Sequence, residues 1–199
     1  MKIFICFTPF QLYYAENIIL NFFNQKDDNI LLIYSQGKLK GFRFECIVES
    51  LKLRDGDIFS FFINHLKAKK KILSLVRKHK SVEVFVSHTG NLLTNYIFNN
   101  KFINKNARIN LFYEGLLSLY EYSEKFNQHH LKRKFFGLLI GINYRYNKNI
   151  FPYNNNKINK IYTPFPDLTK GNSNKKVMCN INLKKNQGNG IKKCLIIGG

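Results

Sequence analysis

Short apolar runs alternate with stretches of helical periodicity through the first 125 residues. Lys2–Phe7 (KIFICF) is almost continuously apolar, the pattern of a parallel strand buried on both faces. Thr8-Pro9 follows, with Thr suited to capping a helix and Pro to its first position, where a missing N–H costs nothing. Phe10 to Phe23 then repeats apolar residues at helical spacing. A second strand is predicted at Ile30–Tyr34 and a helix over Phe42–Leu53. A turn at Arg54-Asp55-Gly56 leads into a third predicted strand, Asp57–Phe62, and then a basic helix over Asn64–Lys80. The fourth strand is Val82–Ser87, after which His88-Thr89-Gly90-Asn91 opens a helix reaching Phe98. The fifth is Ala107–Tyr113, ending at Glu114-Gly115.

Strand and helix in strict alternation predict an α/β fold, a doubly wound parallel sheet of the Rossmann-like kind. Ligands of such sheets sit beyond the carboxyl ends of the strands. Three polar turns fall there: Thr8-Pro9-Phe10-Gln11, Ser87 to Asn91, and Tyr113-Glu114-Gly115. Distant in sequence, they should converge on one rim.

Beyond residue 125 the pattern changes. Gln128–Tyr146 reads as a helix with basic ends and an apolar centre, Phe135–Ile142. It suits either a membrane surface or packing on the sheet, and Gly137 and Gly141, which permit close approach, favour packing. Residues 147–190 are rich in Asn, Lys, Pro and Gly, with a weak strand at Lys160–Tyr162, and read as a linker. Lys192–Gly199 resembles the first strand and turn of another α/β unit. The expected organisation is therefore a domain over 1–146, a basic linker over 147–190, and the start of a truncated second domain over 191–199.

Composition narrows the classes. The chain has 199 residues, 45% of them hydrophobic, enough for a real core. No apolar run approaches the roughly 18–20 residues of a membrane span, and MKIFICFTPF lacks a small-residue cleavage site, so no signal peptide is read. Cys6, Cys46, Cys179 and Cys194 are widely spaced, which predicts reduced thiols and a cytoplasmic protein rather than a disulfide framework or zinc site. The formal charge is +20, unevenly placed: residues 1–125 carry 18 Lys+Arg against 11 Asp+Glu, and residues 126–199 carry 14 against 1. Such a basic C-terminal third suits nucleic acid, an anionic membrane surface or a phosphate-bearing ligand. An AT-rich coding sequence would supply the same Lys, Asn, Ile and Phe without any such partner.

Glu114 is the leading catalytic candidate, because a carboxylate just past a buried strand, on the ligand rim, can serve as general base. A solvated loop acid or a helix cap would occupy the same place. His88 shares the rim and could bind a sugar hydroxyl or a carboxylate, as could Thr89, Gly90 and Asn91 of its turn. Thr8, Pro9 and Gln11 open a helix, where backbone N–H groups favour anions. Gly115 lets the backbone turn beside Glu114. His129-His130 has no metal-ligand spacing to other donors, and no metal site is predicted. Walker, GxGxxG, GxSxG and HExxH motifs are absent from the sequence.

Phe4-Ile5-Cys6-Phe7-Thr8-Pro9-Phe10-Gln11-Leu12 followed by Ala15-Glu16-Asn17-Ile18-Ile19 resembles the opening of the bacterial sialyltransferases of glycosyltransferase family 52, which include lipooligosaccharide sialyltransferases and are related to capsular polysialyltransferases. Phe85-Val86-Ser87, Leu111-Phe112-Tyr113-Glu114-Gly115, Arg133 to Gly141 and Lys192–Gly199 resemble later landmarks of that family in order and spacing. Its acidic motif has two acids before glycine; here Tyr113 stands at the first and Glu114-Gly115 matches the rest. The resemblance implies the N-terminal half of a two-domain GT-B transferase, inverting and metal-independent, with no cofactor beyond the nucleotide-sugar donor CMP-sialic acid. It implies a glycan acceptor and the base on this half. Donor binding falls to a second domain whose His-Pro motif has no counterpart in this sequence. It therefore also implies little activity for this chain alone, with peripheral residence at the inner face of a bacterial membrane compatible with its charge.

Two other readings stand beside it. One is a basic nucleic-acid-binding α/β module, made less favoured by aromatic residues that fall inside apolar runs. The other is a non-catalytic remnant.

Overall fold

The computed structural model describes residues 1–23, 29–35, 47–51, 53, 57–119 and 125–179. Its elements run β1 (Lys2–Cys6), α1 (Pro9–Phe22), β2 (Ile30–Tyr34), β3 (Ile47–Ser50), α2 (Ile58–Lys78), β4 (Glu83–Val86), α3 (Leu92–Asn99), α4 (Lys101–Asn106), β5 (Arg108–Phe112), α5 (Gln128–Leu139), β6 (Ile158–Thr163) and β7 (Lys176–Met178). The seven strands form one sheet in the order β3-β2-β1-β4-β5-β6-β7, and every pair is parallel. The α/β class and parallel sheet expected from the alternating pattern are present.

β1 is central, which explains its apolar sequence: Ile3, Phe4, Ile5 and Cys6 are all fully buried. Ile3 and Ile5 face a core shared with α2, α3, α4 and the end of α5. Phe4 and Cys6 face a second core formed with Tyr14, Ala15, Ile18 and Ile19 of α1. Helices therefore lie on both faces. The chain leaves β1 toward β2 and β3, then returns to β4 on its other side, placing the topological switch point between β1 and β4.

Several boundaries differ from expectation. Asp57–Phe62 is not a strand. The Asp57 carboxylate accepts hydrogen bonds from the Ser60 N–H (2.8 Å) and hydroxyl (2.7 Å), and α2 begins at Ile58. The buried positions His65, Ala68, Ile72 and Val76 continue a helical stripe into which the short apolar run merges. The third strand is instead Ile47–Ser50, within the helix expected over Phe42–Leu53; residues 42–46 and the turn at 54–56 lie outside the described residues.

The helix expected over Gln128–Tyr146 stops at Leu139. Gly141, at φ +64°, adopts the left-handed conformation of a helix terminus, with its N–H bonded to the Leu138 carbonyl (3.1 Å). The Ile142 N–H then bonds to the Gly137 carbonyl (2.7 Å), completing a Schellman closure. At the other end, Asn127 and His130 form a reciprocal capping box, which gives His130 a structural role.

The expected linker is corrected as well. Residues 158–163 and 176–178 add two strands to the same sheet, so the boundary drawn at 146 is not a domain boundary in this fold. Asn159 and Lys160 interrupt the buried positions of the first and the second has none buried, so this run rich in Asn and Lys left only the weak strand signal at Lys160–Tyr162. Residues 180–199, including the strand expected at 192–199, lie outside the described residues.

Candidate functional site at the switch point

The turns after β1, β4 and β5 meet at the carboxyl edge of the sheet. Between them and helices α2 and α5 opens a cleft of about 330 Å³. Thr8, Gln11, His88, Asn91 and Glu114 line it, so five of the nine predicted site residues come together at the switch point.

Each is held by local chemistry. Thr8 caps α1, its hydroxyl accepting the Gln11 N–H at 3.2 Å, with Pro9 at the first helical turn. Gln11 is fully buried and bridges two turns. Its Oε1 accepts the Phe7 N–H (2.6 Å), and its Nε2 donates to Glu114 Oε1 (2.7 Å). On the other side, His88 Nε2 lies 3.5 Å from the same carboxylate oxygen. The Gly90 N–H donates to His88 Nδ1 at 2.9 Å, which requires a lone pair there and puts the ring proton on Nε2, toward Glu114. Phe7 and Phe151 flank the imidazole with ring centroids 6.4 and 6.2 Å away.

The remaining four predicted residues support the cleft without lining it. Pro9 is exposed at the helix start. Thr89 is buried, with its N–H (2.9 Å) and hydroxyl (3.0 Å) both bonded to the Ile150 carbonyl. Gly90 buttresses the His88 ring. Gly115, at φ +121°, lets the chain turn away after Glu114 without strain. Tyr113, the departure from the family's acidic motif, lies in the core on the α1 side, edge-on to Phe10 and Tyr14.

Sequence reasoning did not select the groups opposite Glu114. Arg133 of α5 and His65 of α2 line the cleft, with Phe7, Leu53, Phe61 and Leu92 forming its apolar wall. His65 is 2% exposed; its Nδ1 donates to the Phe61 carbonyl (2.9 Å), which leaves Nε2 as an acceptor. Burial holds the His65 pKa below its usual value, outweighing the Phe61 bond. His65 falls inside the helix expected over Asn64–Lys80, on its buried stripe, a place that by itself signals packing and not a site. Arg133 is marked in the sequence only as the first residue of the segment resembling the family's later helix, with no site role.

A larger opening of about 490 Å³ lies along residues 146–155, against Phe98 and Lys170. It contains none of the predicted rim residues. No group of three or more His, Cys, Asp or Glu placed to hold a metal ion occurs among the described residues, and none of their helices is long and apolar enough to cross a membrane. Comparison with protein-family models, with curated proteins and with solved structures finds no match. The chemistry of the cleft is the remaining guide. It offers an oriented carboxylate, a neutral imidazole N–H, a guanidinium and an apolar wall in one small volume.

Proposed function

We propose that this cleft is the acceptor side of a nucleotide-sugar-dependent glycosyltransferase of the sialyltransferase kind, acting on a cell-surface glycan such as lipooligosaccharide or capsule. The observation that carries the reading is the Glu114 carboxylate, anchored at 2.7 Å by Gln11 and faced by His88 at the switch point. Glu114 removes the proton from an acceptor hydroxyl as that oxygen attacks the anomeric carbon. His88 orients the carboxylate, and Arg133 provides positive charge for an anionic group of donor or acceptor. The apolar wall of Phe7, Leu53, Phe61 and Leu92 matches the C–H face of a sugar, while the polar residues match its hydroxyls. CMP is a good leaving group, so positioning and charge stabilisation carry most of the acceleration. By the family resemblance, CMP-sialic acid is held by a second domain; the role assigned to this chain is the acceptor contact and the base, at the inner face of a bacterial membrane.

The test separates binding from turnover. Titration of the chain with a galactose-terminated oligosaccharide should shift the His88 ring resonances, and CMP-sialic acid alone should leave them in place. With a donor domain supplied, Glu114→Gln should lower transfer about 10²–10⁴-fold. Unchanged transfer by that variant, or no response of His88 to any oligosaccharide, would overturn the assignment.

A further inference from the structure

The outer surface of α5 carries a feature that the cleft does not use. Its inner face, with His130 and Gly137 buried, packs against the body. On the opposite face Leu131, Phe135, Leu138 and Leu139 follow one another at helical spacing and are 54, 60, 64 and 60% exposed. Lys132 and Lys134, both exposed, flank this stripe on either side. α5 lies beside the start of α2, with the Phe62 and Phe136 rings 5.5 Å apart and Lys69 Nζ bonded to the Ile140 (3.0 Å) and Gly141 (2.7 Å) carbonyls. α2 adds its own projecting apolar groups, Phe59 at 75% and Ile63 at 37% exposed. The two helices hold six and three Lys or Arg and no Asp or Glu.

We infer that the outer faces of α5 and the start of α2 form a docking surface for an anionic lipid bilayer, with the apolar stripe entering the headgroup–acyl boundary and the flanking lysines meeting lipid phosphates. Scattered exposed apolar residues are ordinary; a stripe of four on one helix, aligned away from the core and bordered by cations, is the arrangement of an interfacial helix. Charge selects the occupant. A second copy would bring one acid-free, strongly cationic surface against another. Nucleic acid would meet protruding Leu and Phe where its phosphates need cations. An anionic bilayer satisfies both the stripe and its border. The surface stands on its own geometry, independent of the catalytic reading. It has a consequence for the cleft: Phe61, His65 and Arg133, from these same two helices, line it, so docking holds its mouth beside the membrane plane.

The chain contains no Trp, so Phe135→Trp provides a single-tryptophan reporter. On vesicles of phosphatidylcholine mixed with phosphatidylglycerol its emission should shift to the blue, and on phosphatidylcholine alone it should shift far less. Phe135→Ser with Leu138→Ser should reduce co-sedimentation with the anionic vesicles about a hundredfold. Lys132→Gln with Lys134→Gln should reduce it about thirtyfold. Lys101→Gln with Lys105→Gln, which removes the same charge from α4, should have little effect. All these positions are exposed, and thermal melting should show each variant folded. Parent-like vesicle binding by the Ser pair overturns the inference. So does equal loss from the α4 pair, which would mean that net charge alone drives binding. A dimer that the Ser pair dissociates, or RNA retention lost in place of vesicle binding, assigns the surface to another occupant and overturns it too.

Discussion

Gln11→Leu tests the bridge on which the cleft depends. Leu is close to Gln in size, so the buried space stays filled and the change is one of polarity. Two interactions vanish together: the bond from Nε2 to the Glu114 carboxylate and the acceptor for the Phe7 N–H. A hydrogen bond to a charged group contributes about 1.5–3 kcal/mol, and an orphaned buried N–H costs about 1–3 kcal/mol. Allowing for the gain from burying Leu, the net loss should be about 2–4 kcal/mol. For a chain of this size that corresponds to a fall in Tm of roughly 5–15 °C. Differential scanning calorimetry on parent, Gln11→Leu, Glu114→Gln and the double variant closes a thermodynamic cycle. The coupling between the two positions should be about 1–3 kcal/mol, because they share one bond. Glu114→Gln alone should cost less, since an amide oxygen can still accept from Gln11. A Gln11→Leu protein melting within about 2 °C of the parent, or a coupling of zero, would show that Gln11 does not anchor the carboxylate.

Other sites give independent checks. Gly137→Ala should destabilise by about 1–3 kcal/mol in urea titration despite the better helix propensity of Ala, because its Cβ would sit 2.6 Å from the Ile142 carbonyl oxygen; an unchanged midpoint would mean that the end of α5 is loose. Burial alone would raise the Glu83 pKa, but bonds from Lys2 (2.6 Å) and Asn110 (2.8 Å), with the charges of Lys2 and Arg108, outweigh it and hold the carboxyl below its usual range. Its stabilisation is therefore present above about pH 4.3 and lost as pH falls through the folded value, so Glu83→Gln should flatten the acid limb of stability; parallel curves would contradict this linkage. His65, with its pKa lowered by burial, should make the parent lose stability as pH drops below about 6.5, where the unfolded chain takes up the proton first. In His65→Gln that component should be gone, and a parent–variant difference that does not vary with pH would count against a buried neutral imidazole.

The strands buried on both faces were the legible part of the fold, because KIFICF and ILLIY admit few other environments. The Thr8-Pro9 helix start was legible for the same local reason. Asp57–Phe62 misled because a short apolar run fits the first turns of a buried helix as well as a strand, and only the Asp57 cap, paired with Ser60, decides. β6 showed only as a weak strand at Lys160–Tyr162, because Asn159 and Lys160 interrupt its buried positions, and β7 was hidden because it is a short edge strand with no buried position. The cleft divides similarly. Residues at strand ends, such as Glu114 and His88, could be placed from the strand pattern alone. Arg133 and His65 reach it from helices whose position depends on packing between α2 and α5, and no spacing rule encodes that contact.

The double attachment of Thr89 to Ile150 has a kinetic meaning. The turn that orients His88 is clasped by a residue 61 positions later, on the segment that also pairs Arg145 with Asn95 through two bonds. Turn and segment should therefore open as one unit, so the Thr89 amide should exchange with solvent at the rate at which residues 145–151 lift, and not at that of β4 beneath it. Each such opening would free the imidazole to rotate and release its hold beside Glu114. The lifetime of a competent cleft is then set by the docking of residues 145–151, which contribute no side chain to its lining.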